Sequence, residues 1–186
     1  MKKIYNYLEI NNENAEQLRL NAEVIENEEK EKKYKLSGYA SIFGIRSSLK
    51  YDSYYEIIEK GAFQNAISER QDVLFLINHN MNDLPLARVS NNTLFLREDE
   101  KGLYFEAHLN AEMTQTKDLI NAIKRKDIFQ MSFAYTVKDY EVKENINDQG
   151  HDEFIVKSVN RLYEVSAVSI PAFVEALIET NSEKLE

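Results

Sequence analysis

The sequence predicts an α+β chain that is mainly β, a closed or partly open β-barrel with peripheral helices. Short apolar segments with period-2 alternation recur along the chain, and only two or three stretches have helical spacing. Polar turns and charged connections separate them. Residues 17–25 (QLRLNAEVI) put Leu18, Leu20, Ala22 and Val24 on one face. Glu26 to Lys33 reads as an exposed connection, and 34–43 (YKLSGYASIF) resumes the alternation, so the two segments predict a long hairpin. Residues 54–59 are β-rich, and 61–70 (GAFQNAISER) predict a short helix. VLFLI (73–77) is a continuous apolar run bounded by Asn78-His79-Asn80, the pattern of a strand buried on both faces. Strands follow at 84–89, at 93–98 (TLFLRE) and at 103–109 (LYFEAHL), with Asp99-Glu100-Lys101-Gly102 as the turn between the last two.

The clearest helix runs from Thr114 to Lys126, with Leu119, Ile120 and Ile123 on one face and cations at its end. Next, Met131, Phe133, Tyr135 and Val137 alternate with Gln130, Ser132, Ala134 and Thr136 in a strand. A polar turn at 145–151 precedes strands near 153–159 and 161–169, Pro171 ends the last, and Phe173 to Thr180 predict a closing helix. A single domain covers 1–186, with 1–15 and 181–186 linker-like.

Composition narrows the chemistry. The 186 residues include no Cys, which removes thiol nucleophiles, disulfides and Cys-ligated metals. Only five Gly and two Pro are present, and no Gly-rich phosphate loop occurs. The formal charge is −9, and residues 34–186 alone carry 24 acidic against 17 basic side chains. Phosphate contacts need clustered cations, so nucleic-acid binding is not expected. The best basic cluster, Lys124-Arg125-Lys126, complements the dipole at a helix end. With no long apolar run and no signal-peptide core, the sequence predicts neither a membrane partner nor secretion. What remains is Ser, His, Asp, Glu or Tyr chemistry.

Three residues carry candidate chemistry. His79 follows a buried strand directly, where a rigid element gives way to a loop, and imidazole is the usual proton shuttle near neutral pH. Its plainer reading is a surface-turn histidine bonded to backbone. Ser132 lies on the small, polar face of QMSFAYTV, with Ala134 leaving room for a substrate carbonyl; a solvent-facing serine is the plainer reading. Glu164, in LYEVSAVSI, shares a face with Leu162, Ser166 and Val168 by simple alternation. A carboxylate in so apolar a strand needs a partner. A histidine ring N–H is one candidate, and Arg88 or Arg161 are the others. His108, beside Glu106, reads as a solvated strand residue, and His151 as an exposed turn residue. No cofactor and no metal site is expected.

The order of segments resembles the tailed-phage prohead (head maturation) protease family, serine peptidases similar in fold to herpesvirus assemblins. The match comprises GYASIFG (38–44), EIIEKGAF (56–63), LINHN (76–80), PLARV (85–89), TLFLREDEKGLYFEAHL (93–109), DIFQMSFAY (127–135) and LYEVSAVSIPAF (162–173). Each is loose alone; seven in order are specific. The resemblance implies Ser132 as nucleophile, His79 as general base and Glu164 as the carboxylate orienting the ring. Assemblins use a second histidine in that place, but neither His108 nor His151 lies in the matching segment. Backbone N–H groups near Ser132 or Arg161 are the candidate oxyanion donors. The implied activity is cleavage of scaffold segments of the major capsid protein, and of the enzyme itself, inside the immature procapsid in the host cytoplasm. The implied partners are the major capsid protein and further copies of the chain, as a dimer or higher oligomer. The rival is a catalytically silent capsid-assembly or scaffolding protein with the same fold.

Overall fold

A computed structural model describes residues 21–26, 32–147 and 149–170. Among these residues nine strands and two helices occur in the order β1 (Asn21–Glu26), β2 (Lys32–Ile42), β3 (Tyr54–Ile58), α1 (Gln64–Ser68), β4 (Leu74–Ile77), β5 (Ala87–Arg88), β6 (Leu94–Glu98), β7 (Gly102–Asn110), α2 (Thr114–Arg125), β8 (Gln130–Lys143) and β9 (Asp152–Val168). The chain is mainly β, as expected. The described strands form two separate sheets, and no ladder among them closes a barrel. The expected helix at 173–180, the start of the first strand at 17–20 and both linker-like ends lie outside the described residues.

The first sheet is antiparallel, in the order β1-β2-β7-β6. The expected hairpin pairs β1 with β2, and β2 then pairs with β7. A register shift between Tyr39 and Ser41 marks where β2 meets the start of β7. There Gly102 is required, because a Cβ on it would stand 2.0 Å from the Ser41 carbonyl oxygen. The expected β6–β7 turn is tied by Asp99, whose Oδ1 accepts the N–H groups of Lys101 (2.9 Å) and Gly102 (3.2 Å).

The second sheet is built around the last strand. On one side β9 runs parallel to β3 over 152–156 and to β4 over 164–167; on the other it pairs antiparallel with β8. Short β5 completes the edge beside β4. The sequence predicts a strand over 84–89, but only Ala87–Arg88 pairs as one. Pro85, which has no N–H to donate, lies in the stretch left out.

Two strands expected at 153–159 and 161–169 are one strand of 17 residues. The break in alternation comes from register irregularities in the β8–β9 ladder between Ala134 and Tyr135 and from Thr136 to Tyr140. Ala134 faces Glu164 while Tyr135 faces Leu162, so Tyr163 is an extra residue, a β-bulge. Gln71 serves the backbone there: its Oε1 accepts the Leu162 N–H (3.0 Å) and its Nε2 donates to the Asn160 carbonyl (2.8 Å). The bulge turns Leu162 into the core and leaves Glu164 on the opposite face, which corrects the shared face expected from alternation.

The main core joins the two sheets through Leu36, Phe75, Phe105, Leu109, Phe133 and Val165, with Leu119, Ile120 and Ile123 of α2 closing one side. Rings of Phe75 and Phe105 lie 5.6 Å apart, linking β4 to β7. Farther along the β8–β9 arm is a buried ion pair, Lys50 Nζ to Glu56 Oε2 at 2.8 Å, with the Tyr135 hydroxyl donating to Glu56 Oε1 at 2.6 Å. Burial first, then the Glu56 charge, pushes the Tyr135 phenol well above its ordinary range.

Candidate active site

The parallel β4–β9 ladder places Leu76 beside Ser166 and Ile77 beside Ala167. It extends one residue beyond β4, where the Asn78 N–H donates to the Ala167 carbonyl (2.9 Å) and Asn78 Oδ1 accepts the Ser169 N–H (2.9 Å). The chain then reverses, with the Asn80 N–H donating to the Ile77 carbonyl at 3.0 Å. The two central residues have positive φ, 49° at Asn78 and 57° at His79. That is the signature of a type I′ turn, and Asn and His are among the side chains that tolerate it best. The turn holds the imidazole against β9.

His79 Nδ1 lies 2.7 Å from Glu164 Oε1. An ionised carboxylate only accepts, so in this contact Nδ1 is the donor. The Glu164 side chain is 1% exposed, and each of its oxygens has a partner: the imidazole on Oε1, and the Ser166 hydroxyl donating to Oε2. Ser166 Oγ also accepts the backbone N–H of His79 at 3.2 Å. One hydroxyl therefore ties the carboxylate to the main chain that carries the imidazole.

Ser132 stands directly opposite Ser166 across the β8–β9 ladder. Facing side chains in such a pair lie about 4.5–5.5 Å apart on one face of the sheet. Gln130, Ser132, Glu164 and Ser166 are all buried on this face, while Met131, Phe133, Val165 and Ala167 enter the core on the other. The fold thus brings His79 and Glu164 into contact and sets Ser132 beside the serine that touches both.

The remaining candidates fall elsewhere. Arg88 pairs with the Asp72 carboxylate, and Arg161 Nη2 donates to the Asp72 carbonyl at 3.3 Å, so among the three partners considered for Glu164 the one found is His79. The Arg88 guanidinium, foremost by its hydrogen bond, holds the Asp72 carboxyl down at about 2. Arg161 faces Thr136, four residues along β8 from Ser132. At about 3.4 Å per residue that is about 14 Å, too far for an oxyanion donor. His108 is half-buried, with Nε2 2.8 Å from Glu106 Oε1. His151 is half-buried rather than exposed, with its ring 5.9 Å from that of Tyr55 and Nδ1 3.0 Å from Asn147 Nδ2. Among the described residues, no three His, Asp or Glu side chains converge as a metal site would require. Ser166 and Asn78 are the residues that sequence reasoning missed. Alternation put Ser166 on the Glu164 face, but only the parallel ladder from β4 gives it a role.

A serine, a histidine on a tight turn and a buried carboxylate are the residue types that serine peptidases use. Residues 21–186 match the family described as caudovirus prohead serine protease, and the chain belongs to that family. It is 33% identical over 138 residues to the prohead protease of Enterobacteria phage HK97, an overlap of 73% of this chain and 54% of that protein. The chain thus spans about half the length of this curated relative. No solved structure matched.

Proposed function

We propose that the chain is a serine endopeptidase in which Ser132 attacks the scissile carbonyl, His79 accepts its proton, and Glu164 holds the imidazole. With Nδ1–H committed to Glu164, the Nε2 lone pair is the one available to take the Ser132 proton and later return it to the leaving amine. The buried carboxylate stabilises the imidazolium formed in between. The acyl group passes to Ser132 Oγ as the amine departs, and water then releases it as the carboxylate. The observation that carries this reading is the 2.7 Å contact between His79 and a Glu164 carboxylate that is 1% exposed. A carboxylate that far from solvent is retained at a cost, and orienting a ring is a use that offsets it.

Membership of the prohead protease family supports a substrate within the procapsid. The reading assigns cleavage to scaffold segments of the major capsid protein, with self-cleavage, inside the immature procapsid of an infected cell. Closure of the two sheets into an assemblin-like barrel belongs to the same reading.

The test is co-expression with the capsid protein, followed by intact-mass spectrometry. Wild type should yield truncated capsid subunits, and Ser132→Ala only full-length ones. Truncation that persists in Ser132→Ala would remove Ser132 as nucleophile. A fluorophosphonate probe separates this reading from the silent-assembly rival, because it labels only an activated serine. Labelling of wild type lost in both Ser132→Ala and His79→Ala supports the peptidase, and assembled particles with no cleavage and no labelling support the rival.

A further inference from the structure

We infer that the outer edge of β8 is a self-recognition surface, through which two copies pair antiparallel over residues 138–144. The inference is independent of the proposed activity. Among the described strands β8 pairs only with β9, and none of them covers its other edge. Lys138 to Asn145 are all exposed, with Tyr140 at 54% and Val142 at 43%. Tyr140 is already held in place, its ring stacked 4.5 Å from that of Phe154.

The backbone hydrogen bonds fix which residues face outward. In β9, the Asp152 N–H donates to Ser53 and the Val156 carbonyl accepts from Glu59, so the even-numbered residues point toward β3. Glu153 and Ile155 therefore bond to their β8 partners, Lys143 and Glu141. Tyr140 and Val142 are left presenting N–H and C=O to the open edge.

An antiparallel copy satisfies those groups when Tyr140 faces Val142 of the partner subunit, and in that register the side chains match. Asp139 faces Lys143 of the partner subunit, and Lys138 faces Glu144 of the partner subunit, each pair occurring twice by symmetry. Glu141 meets its own copy at the two-fold axis, and each is already neutralised by Lys157 at 2.6 Å. A one-residue slip would aim the backbone groups away from each other. A two-residue slip one way sets Asp139 against Glu141; the other way trades the two Asp139–Lys143 pairs for two Glu141–Lys143 pairs but loses both Lys138–Glu144 pairs, Lys138 then facing Ile146. Exposed edges usually carry charges that repel pairing. Here the charges alternate so that a reversed copy is the complement.

Sedimentation velocity on the full chain tests this across about a hundredfold concentration range. Wild type should show a concentration-dependent dimer. Val142→Pro removes an N–H that serves only the partner and should sediment as monomer. Asp139→Lys and Lys143→Asp each oppose like charges and should weaken dimerisation by at least about tenfold. An equal mixture of these two variants restores every pairing and should recover wild-type association. A wild type that stays monomeric, a Val142→Pro variant that dimerises normally, or a mixture no tighter than its components would each overturn the inference.

Discussion

Glu164 commits both carboxylate oxygens to groups that fix the imidazole, so its charge and its geometry can be tested apart. Glu164→Gln keeps the shape, and the Ser166 hydroxyl can rotate to meet the new amide. In the proposed mechanism the negative charge under the imidazolium is lost, so kcat should fall about 10²–10⁴-fold with little change in melting temperature. Ser166→Ala behaves differently. It strips a donor from a buried carboxylate and an acceptor from the His79 N–H, for a loss of about 1–3 kcal/mol by urea unfolding. Its kcat should drop with KM nearly unchanged, and Ser166→Thr, which keeps the hydroxyl, should recover most of both. Of these residues, Ser132, His79 and Glu164 were legible because the order of motifs around them resembles a family, not because their spacing implies convergence. Ser166 was not legible. A serine two positions from a glutamate says nothing about a turn residue 87 positions earlier in the chain whose N–H it accepts.

The elements were read well where one face is core and one is not. Alternation placed β2, β6, β7 and the first half of β8 within a few residues, and the helical spacing of Leu119, Ile120 and Ile123 placed α2. Reading failed at β9, because each bulge inserts a residue and reverses the phase of the pattern, which in sequence looks like a turn between two strands. The side chain of Gln71 makes the uninterrupted strand possible by supplying the hydrogen bonds the irregular ladder leaves open. Gln71→Leu keeps the bulk and removes both bonds, so the protein should lose about 1–3 kcal/mol. Hydrogen exchange should accelerate first at the Leu162 amide, with the β2–β7 ladder protected as before. Equal acceleration in both sheets would mean that Gln71 supports the whole fold and not this segment.

At the scale of the whole molecule, acid stability has a contributor that can be located. Asp72 is held by Arg88 at about 2, below its ordinary 3.8. A depressed carboxyl contributes stability that is fully present above the unfolded value and is lost as pH falls through the folded one. The window is therefore about pH 4 down to about pH 2. The contribution is small, because the pair is partly solvated. Asp72→Asn should flatten the melting-temperature curve across that window and lower it slightly at neutral pH. One further consequence lies in the order of synthesis. The second sheet has no centre until β9 exists, since β3, β4 and β8 all pair with it and it is the last of the described strands. His79 leaves the ribosome about 90 residues ahead of Val168, a lag of about 5–20 s at typical elongation rates. Throughout that time the imidazole has no carboxylate and no Ser166 to hold it. In the proposed mechanism a nascent chain is thus inert by topology alone, and the His79–Glu164 contact forms only when translation has passed the strand that completes it.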